Sequence, residues 1–293
     1  MRVTDKMVSQ ATSRNTARAR EAHHAALQRA ASGVRVQHPG DDPAGAGRAL
    51  GHSARATALN AVEGAVRSAA DEVTAAESAL GSLADLVSDA RELAVQLSND
   101  TYSATNRAAA ASEVDSMLRQ ALSLLNTRHG DRYVFGGTQD GRPPFDAAGA
   151  YVGALNVREV AIAPGVMQAT SVRGDQIANG AGGGADLIVT LQALSTALAA
   201  NDAPGIRAAL DPLDTVTQQI STGRARLGAS HAVFTAAADH ARTGRDLETA
   251  AYNGIVEADP FTAATELAMT ERALEAAITA AARSFKVSLL DKL

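Results

Sequence analysis

The stretch RAASGVRVQHPGDDPAGAG, residues 29–47, interrupts the chain soon after its start. Ser32 and Gly33 form a helix stop, because glycine readily takes the left-handed conformation that ends a helix. Val34 and Val36 then alternate with polar residues, which is typical of an extended segment. The stretch therefore predicts the end of one helix followed by a short extended link.

The same stretch also contains the start of a second helix. Asp41 or Asp42 can cap free helical N–H groups, and Pro43 suits the first helical position because it has no N–H group to lose. Apolar residues then recur with alternating spacings of three and four, which predicts a coiled coil or a long bundle helix. The seam consists of Leu59, Val62, Val66, Ala69, Val73, Ala76, Leu80, Leu83, Val87, Ala90, Ala94 and Leu97.

Three further segments are predicted to be helical. One covers residues 105–126, and another begins near Ile206, with Pro212 starting or kinking it because proline inside a helix costs ~3 kcal/mol. We expect the chain to break at YNGIVEAD, residues 252–259, and the last helix to begin at Pro260 behind Asp259. The predicted seam of the helix that begins near Ile206 consists of Ile206, Leu210, Leu213, Thr217, Ile220, Arg224, Leu227, His231, Phe234, Ala238 and Ala241.

The middle of the chain has a different pattern. Between Gly130 and Gly184, glycines, prolines and short alternating runs dominate. The runs 132–137, 157–163 and 166–172 are predicted strands, since turn residues separate them. The sequence thus predicts a mainly α fold in which a small β-rich insertion interrupts a long-helix bundle.

The composition excludes several classes of protein. Aromatic residues make up 3% of the chain and cysteine is absent, so neither an aromatic core nor disulfides nor Cys-ligated zinc are expected. A net charge of −5 argues against a whole-chain nucleic-acid binder. No apolar run is long enough for a membrane span, and the N-terminal residues lack the apolar core of a signal peptide.

The charge is unevenly divided between the two ends. Residues 1–40 carry seven Lys or Arg against two acidic residues, whereas residues 255–293 carry four against six. Attraction between the two ends is one interpretation, and two independently solvated helix faces is the other.

Few residues suggest chemistry. Phosphate-binding, zinc-protease and nucleophile-elbow motifs are missing, so we predict no enzyme, no cofactor and no metal site. His23 and His24 are predicted to be a solvated pair, and His231 a packed structural histidine. The glycine-rich run 180–186 is predicted to be a flexible linker, although a phosphate cradle is the alternative.

The two ends of the chain are poor in large apolar side chains. Within residues 1–32 these are Met1, Val3, Met7, Val8 and Leu27, which supply roughly 10 kcal/mol if fully buried. Ordering thirty residues costs ~1–2 kcal/mol each in backbone entropy. We therefore hypothesise that both ends become ordered only on assembly with neighbouring molecules.

Four stretches in order resemble the flagellin-like family, and in particular its hook-associated protein 3 branch. They are residues 29–47, NRAAAASEVDSMLRQALSLLNT (106–127), GDRYVFGGTQDGRPPF (130–145) and the C-terminal run from Glu257, which ends in SLLDKL. The RYVFGG and PPF pair is typical of the junction proteins rather than of filament flagellins.

The resemblance implies a fold of the flagellin type, with coiled-coil helices from both termini and a small β-rich outer domain. Residues 1–40 with 255–293 would be the terminal helical assembly segment, and residues 41–128 with 204–254 the long-helix bundle. Residues 129–203 would form the outer domain with a following helix.

The resemblance also implies a function and partners. The chain would be a structural adaptor that joins the flagellar hook, through another hook-associated protein, to the flagellin filament. It would form a ring with copies of itself, leave the cell through the flagellar type III export channel without a cleaved signal, and be bound by an export chaperone on its C-terminal segment.

The predicted site residues form three groups. The assembly interface is Val3, Met7, Leu267, Leu274, Ile278, Phe285, Leu289 and Leu290. The layer hinge and helix caps are Ser32, Gly33, Asp41, Asp42, Pro43, Asp259 and Pro260. The base of the outer domain is Arg132, Tyr133, Phe135, Gly137, Pro144 and Phe145.

Three alternatives remain at this point. A short filament flagellin belongs to the same class of structural protein. A helical signalling rod, such as the cytoplasmic part of a chemoreceptor, is disfavoured by the β-rich interruption. An enzymatic outer domain is the least favoured alternative, since the chain lacks catalytic motifs.

Overall fold

The computed structural model describes residues 2–99 and 101–290, and the side chains of residues 6–99 and 101–283. The chain divides into two units. The terminal unit consists of Met1–Ala58 and Gly244–Leu293, and the central unit consists of Leu59–Thr243. The predicted division into three parts, with its boundaries near residues 41, 129, 204 and 255, stays a prediction.

Helices make up most of the described chain. They are α1 (Arg2–Ser32), α2 (Pro43–Leu97), α3 (Ala104–Leu125), α4 (Gly174–Ala178), α5 (Leu187–Ala199), α6 (Ala203–Ala208), α7 (Leu210–Val256) and α8 (Pro260–Leu290). The strands are β1 (Arg128–His129), β2 (Arg132–Tyr133), β3 (Glu159–Ala163) and β4 (Val166–Ala169). The mainly α fold class with a small β region is therefore confirmed. No described helix is both long and apolar enough to cross a lipid bilayer.

In the terminal unit, α1 and α8 pack along each other. The less exposed residues of each helix follow heptad spacing, as in a two-stranded coiled coil. In α1 they are Ser9, Thr12, Thr16, Ala19, His23, Ala26 and Arg29, and in α8 they are Ala263, Leu267, Thr270, Leu274, Ala277 and Ala281. His23 thus lies on this seam, so the predicted solvated pair is wrong for His23, while His24 is exposed.

The two chain crossings of the terminal unit pair with each other. Gly33 ends α1 with a φ of 68°, a conformation that favours glycine. Val34 forms an isolated antiparallel bridge with Glu257, and the Arg35 N–H donates to the Val256 carbonyl at 2.7 Å. The extended link predicted after Ser32 is therefore present, and the return crossing is its hydrogen-bonding partner.

The central unit has a continuous apolar core. The seam predicted along α2 faces this core, since its positions from Val66 to Leu97 are buried. The long side chains of α5 and α7 complete the core, and α3 packs on α5. The side chains with less than 2% of their surface exposed include Phe135, Phe234, Leu80, Leu83, Leu125, Leu191 and Leu194.

The seam of α7 differs from its prediction by one residue at alternate positions. Leu213, Ile220, Leu227 and Phe234 are buried as predicted, but Thr217, Arg224 and His231 are exposed. The intermediate buried positions are Val216 and Gly223 instead. Gly223 lets α7 approach Ile177 closely, since a Cβ atom there would lie 2.5 Å from the Ile177 Cδ1 and would force that side chain to shift.

The helix boundaries also refine the predictions. Pro212 lies in the first turn of α7, where its missing N–H group costs nothing. The helix then continues through Asn253 and Gly254 to Val256, so the predicted break at residue 252 is wrong and the break occupies only residues 257–259.

The insertion contains two small antiparallel sheets of two strands each. β1 pairs with β2, and β3 pairs with β4 with an irregularity between Ala161 and Ala163. The strands are shorter than the predicted runs, and residues 134–157 hydrogen-bond through turns and an isolated antiparallel bridge between Phe145 and Tyr151. For example, the Val152 N–H donates to the Pro144 carbonyl at 2.8 Å.

Candidate functional site on the terminal unit

Among the described residues of the terminal unit, small apolar side chains are buried and large ones are exposed, which is the reverse of the usual distribution. The apolar residues that are buried there are three alanines, Ala26, Ala49 and Ala263. The exposed large apolar residues are Met7, Val8, Leu27, Leu50, Leu247, Phe261, Met269 and Ile278. Phe261 exposes 81% of its surface, which is unusual for an aromatic side chain.

The predicted interface residues occupy two kinds of position. Met7 and Ile278 are exposed, whereas Leu267 and Leu274 lie half-buried on the seam between α1 and α8. The side chains of Val3, Phe285, Leu289 and Leu290 lie outside the described residues. The predicted interface did not include the exposed Met269, Leu50 and Leu247, nor Phe261, which was noted only as one of the apolar residues of the C-terminal segment.

Asp41 and Asp42 have different roles at the start of α2. Asp42 is the cap, because its Oδ1 accepts a hydrogen bond from the Gly45 N–H at 2.8 Å. Asp41 instead closes the preceding turn by accepting from the N–H groups of Gln37 and His38 at 3.0 and 2.9 Å. The backbone hydrogen bonds from His38 and Gly45 lower the pKa values of Asp41 and Asp42, respectively.

The return crossing uses the same chemistry at the start of α8. Asp259 accepts hydrogen bonds from the Thr262 hydroxyl at 2.7 Å and from the Phe261 N–H at 3.2 Å, and Pro260 is the first helical residue. The Thr262 hydroxyl lowers the pKa of Asp259. Across the link, the Ser32 hydroxyl accepts from the Val34 N–H at 3.2 Å.

Charged and polar side chains join helices of the terminal unit at two places. Glu248 on α7 lies 2.5 Å from His52 Nδ1 and 3.2 Å from Arg55 Nε, both on α2, and the hydrogen bond to His52 lowers the pKa of Glu248. Arg29 on α1 lies 2.8 Å from Glu266 on α8. These pairs fix neighbouring helices through polar contacts where large buried side chains are missing.

The predicted outer-domain base is brought together in the central unit. Phe135 and Phe145 are 1% and 2% exposed, and Pro144 and Gly137 are also buried. Gly137 has a φ of 63°, and a Cβ atom there would lie 2.5 Å from the Asn156 carbonyl oxygen. The remaining two predicted residues lie nearer the surface, since Tyr133 is half-buried and Arg132 is exposed.

Two residues that the sequence interpretation missed complete this base. Asn126 binds both backbone groups of Phe145 at 3.0 Å, donating to its carbonyl and accepting from its N–H. Tyr151 packs edge-on against Phe145 with ring centroids 5.3 Å apart and donates to the Ala154 carbonyl at 2.7 Å. Burial raises the pKa of Tyr151 to about 12.

The buried charged side chains of the central unit have structural partners. Arg107 donates to the carbonyls of Leu97 and Asn99 and to Asn201 Oδ1, at 3.0, 2.9 and 2.6 Å. Glu72 binds Arg158 and the Thr170 hydroxyl. No group of three potential metal ligands occurs among the described residues.

The amino-acid sequence is similar to proteins of the bacterial flagellum. Residues 3–140 match the family described as the bacterial flagellin N-terminal helical region. Flagellar hook-associated protein 3 of Escherichia coli is 36% identical over 125 residues, which cover 42% of this chain and 39% of that protein. The flagellin of Listeria monocytogenes is 26% identical over 230 residues, or 78% of this chain and 76% of that protein.

Solved structures share the fold at low sequence identity. A flagellar hook-associated protein from Vibrio parahaemolyticus superposes with a TM-score of 0.67 at 18% identity, covering 74% of this chain and all of that one. The flagellar junction protein FlgL from Legionella pneumophila superposes with a TM-score of 0.57 at 14% identity, covering 72% of this chain and all of that one.

Proposed function

We propose that the chain is a flagellin-like structural adaptor at the junction between hook and filament, on the strength of its similarity to the flagellin N-terminal helical region and to hook-associated protein 3. The chain spans 39% of the length of that relative, so the similarity alone does not extend to the whole protein. The adaptor would join its neighbours by helix-to-helix packing and would catalyse no reaction.

The observation that carries the proposal is the inverted apolar distribution of the terminal unit. Eight large apolar side chains are exposed there while three alanines are buried. Each exposed Leu, Met or Phe gains ~1.5–3 kcal/mol when a partner buries it fully. A surface of this kind fits a segment that is completed by neighbouring subunits.

The predicted site groups acquire roles within this proposal. Met7 and Ile278, together with Phe261, would contact neighbouring molecules. Leu267 and Leu274 would hold α8 on α1, so that both helices present their outer faces. The caps at Asp42 and Asp259 would fix where the terminal segment ends, and the base around Phe145 would fix the outer domain.

The proposed partners follow from the same reasoning. Copies of the chain itself would form a ring, with another hook-associated protein on the hook side and flagellin on the filament side. The chain would pass through the flagellar type III channel without a cleaved signal, with an export chaperone bound to its C-terminal segment. No nucleic acid, metal or cofactor is proposed.

Deletion of the gene tests the adaptor function. We expect cells with hooks but without filaments, and unassembled flagellin in the medium, which electron microscopy and analysis of the medium would detect. Cells that lack the gene and still carry attached filaments would contradict the proposal.

A short filament flagellin is the second candidate, and the 78% coverage of the chain by the Listeria flagellin favours it. The two candidates differ in what the purified protein builds on isolated hooks. An adaptor would add a short terminal ring, whereas a flagellin would extend into a filament. Electron microscopy of seeded hooks separates these outcomes.

A further inference from the structure

α1 and α8 each present a second heptad row on the side away from their mutual seam. All members of both rows are exposed. The outer row of α1 is Met7, Ala11, Arg14, Arg18, Glu21, Ala25 and Gln28. The outer row of α8 is Phe261, Ala264, Ala268, Glu271, Glu275, Ile278 and Ala282. Both rows have the heptad spacing that a further helix packs against, and each combines small or apolar residues with charged ones.

Each outer row has a pair of like charges at its centre. Arg14 and Arg18 are four residues apart, as are Glu271 and Glu275, so each pair spans about 6 Å along its helix. Among the described residues none of the four forms an ion pair. Arg14 donates only to the Gln10 carbonyl of its own helix, at 3.3 Å.

Like charges four residues apart destabilise an isolated helix, because the two side chains are neighbours on its surface. No ion pair within the described chain joins any of these four residues, although Glu21 and Arg272 lie three residues from Arg18 and Glu275 on the same helices. Opposite charges at the same spacing lie on the other helix. Arg272 lies between the two glutamates in sequence but about 100° around the helix, so the outer row itself is acidic.

We propose that Arg14 and Arg18 of one copy pair with Glu275 and Glu271 of a neighbouring copy. The outer row of α1 would then pack along the outer row of the neighbour's α8. This inference rests on the proposed assembly through the terminal unit, and it specifies which two faces meet.

The register of this contact follows from the order of the residues. α1 and α8 run antiparallel within a chain, since the end of α1 lies near the start of α8 through Arg29 and Glu266. Copies related by rotation about an axis parallel to the helices, as in a ring, keep that relation between neighbours. Pairing Arg14 with Glu275 antiparallel places Ala11 opposite Ile278, so that an alanine receives a large apolar side chain.

Charge reversal tests the contact in cells that lack the native gene. The variants are R14E/R18E and E271R/E275R, and D85R/D89R is the matched control because Asp85 and Asp89 are exposed acids of equal spacing on α2. We expect each terminal variant alone to reduce the number of cells with filaments by about tenfold or more. The control variant should behave as the native chain.

The two reversed variants are then expressed together. In R14E/R18E both outer rows are acidic, and in E271R/E275R both are basic. Wherever the two variants alternate in an assembly, each acidic row meets a basic row of the neighbouring copy, so filaments should return. A third variant carries all four reversals in one chain. If filaments return with this variant but not on co-expression of the two double variants, the pairing lies within a chain and the inference is overturned. Detection of each variant in the medium controls for export.

The outcomes separate this inference from the proposed function. Filaments that persist after deletion of the gene contradict the adaptor function itself. Filaments that are lost on deletion but are unaffected by either reversal overturn only the contact proposed here.

Cysteine cross-linking tests the register directly, because the native chain has no cysteine. Ala11→Cys in one copy and Ile278→Cys in another should form a disulfide in assembled hooks, whereas Ala11→Cys with Ser88→Cys should not. Equal cross-linking of both pairs would contradict the register.

Discussion

The central and terminal units reach helical structure by different means. The central unit buries Phe, Leu, Ile and Val side chains in one continuous cluster. The terminal unit buries alanines, aligns polar residues on its seam, and exposes its large apolar side chains. The helices of the central unit are thus stabilised by their own core. Under the proposed function, the helices of the terminal unit also need contacts with neighbouring copies.

The two phenylalanines Phe234 and Phe261 offer the sharpest test of this difference. Phe234→Ala should lower the free energy of unfolding by ~3–5 kcal/mol, because it leaves a cavity in the core of the central unit. Phe261→Ala should change it by less than ~0.5 kcal/mol, since the side chain is 81% exposed.

Urea unfolding followed by circular dichroism measures both free energies, and filament attachment measures assembly. Phe261→Ala should impair attachment while leaving the fold intact. A large loss of stability from Phe261→Ala would contradict the distinction between the units, as would normal attachment combined with normal stability.

Arg107 in the central unit and Arg29 in the terminal unit allow the same comparison, with smaller expected changes in stability. Arg107→Ala should cost ~2–3 kcal/mol, because the buried guanidinium donates to three acceptors, including the Leu97 carbonyl at the end of α2. Arg29→Ala should cost at most ~1 kcal/mol, since its pair with Glu266 is partly exposed and screened by solvent.

Thermal unfolding of both variants measures this difference, with Arg119→Ala on the exposed face of α3 as the control. We expect Arg107→Ala to lower the Tm of the main transition and Arg29→Ala to leave it almost unchanged. Equal shifts in Tm would show that the pair of Arg29 and Glu266 contributes as much to stability as the hydrogen bonds of Arg107.

Sequence periodicity predicted the helices of the central unit well, because each helix must bury one face. The α2 seam from Val66 to Leu97 needed only that rule. The alternate positions of α7 were missed because Gly223 is chosen for the approach of Ile177, a contact between residues 46 apart that no local pattern contains.

The candidate site was predictable where it depends on local backbone chemistry. Asp42, Pro43, Asp259 and Pro260 start helices because capping acts within one turn. The exposed Phe261 and the seam position of His23 could not be predicted, because they depend on which side of α1 and α8 the other helix covers. Asn126 was missed since its partner, Phe145, lies across an irregular loop.

The smallest effect expected is that of pH on the cap of α2. The pKa of Asp42 is lowered in the folded chain, chiefly by the hydrogen bond from Gly45, so its stabilising contribution is present above the usual carboxyl pKa near 3.8 and is lost as the pH falls through the lower folded value. Asn caps helices as well as Asp does but does not titrate. The protection of the amides in residues 43–47, that is, their exchange rate relative to the intrinsic rate at the same pH, should therefore fall more on acidification in the native chain than in Asp42→Asn. An equal loss of protection in both would assign the acid response of the terminal unit to other carboxylates, such as Asp259 or Glu248.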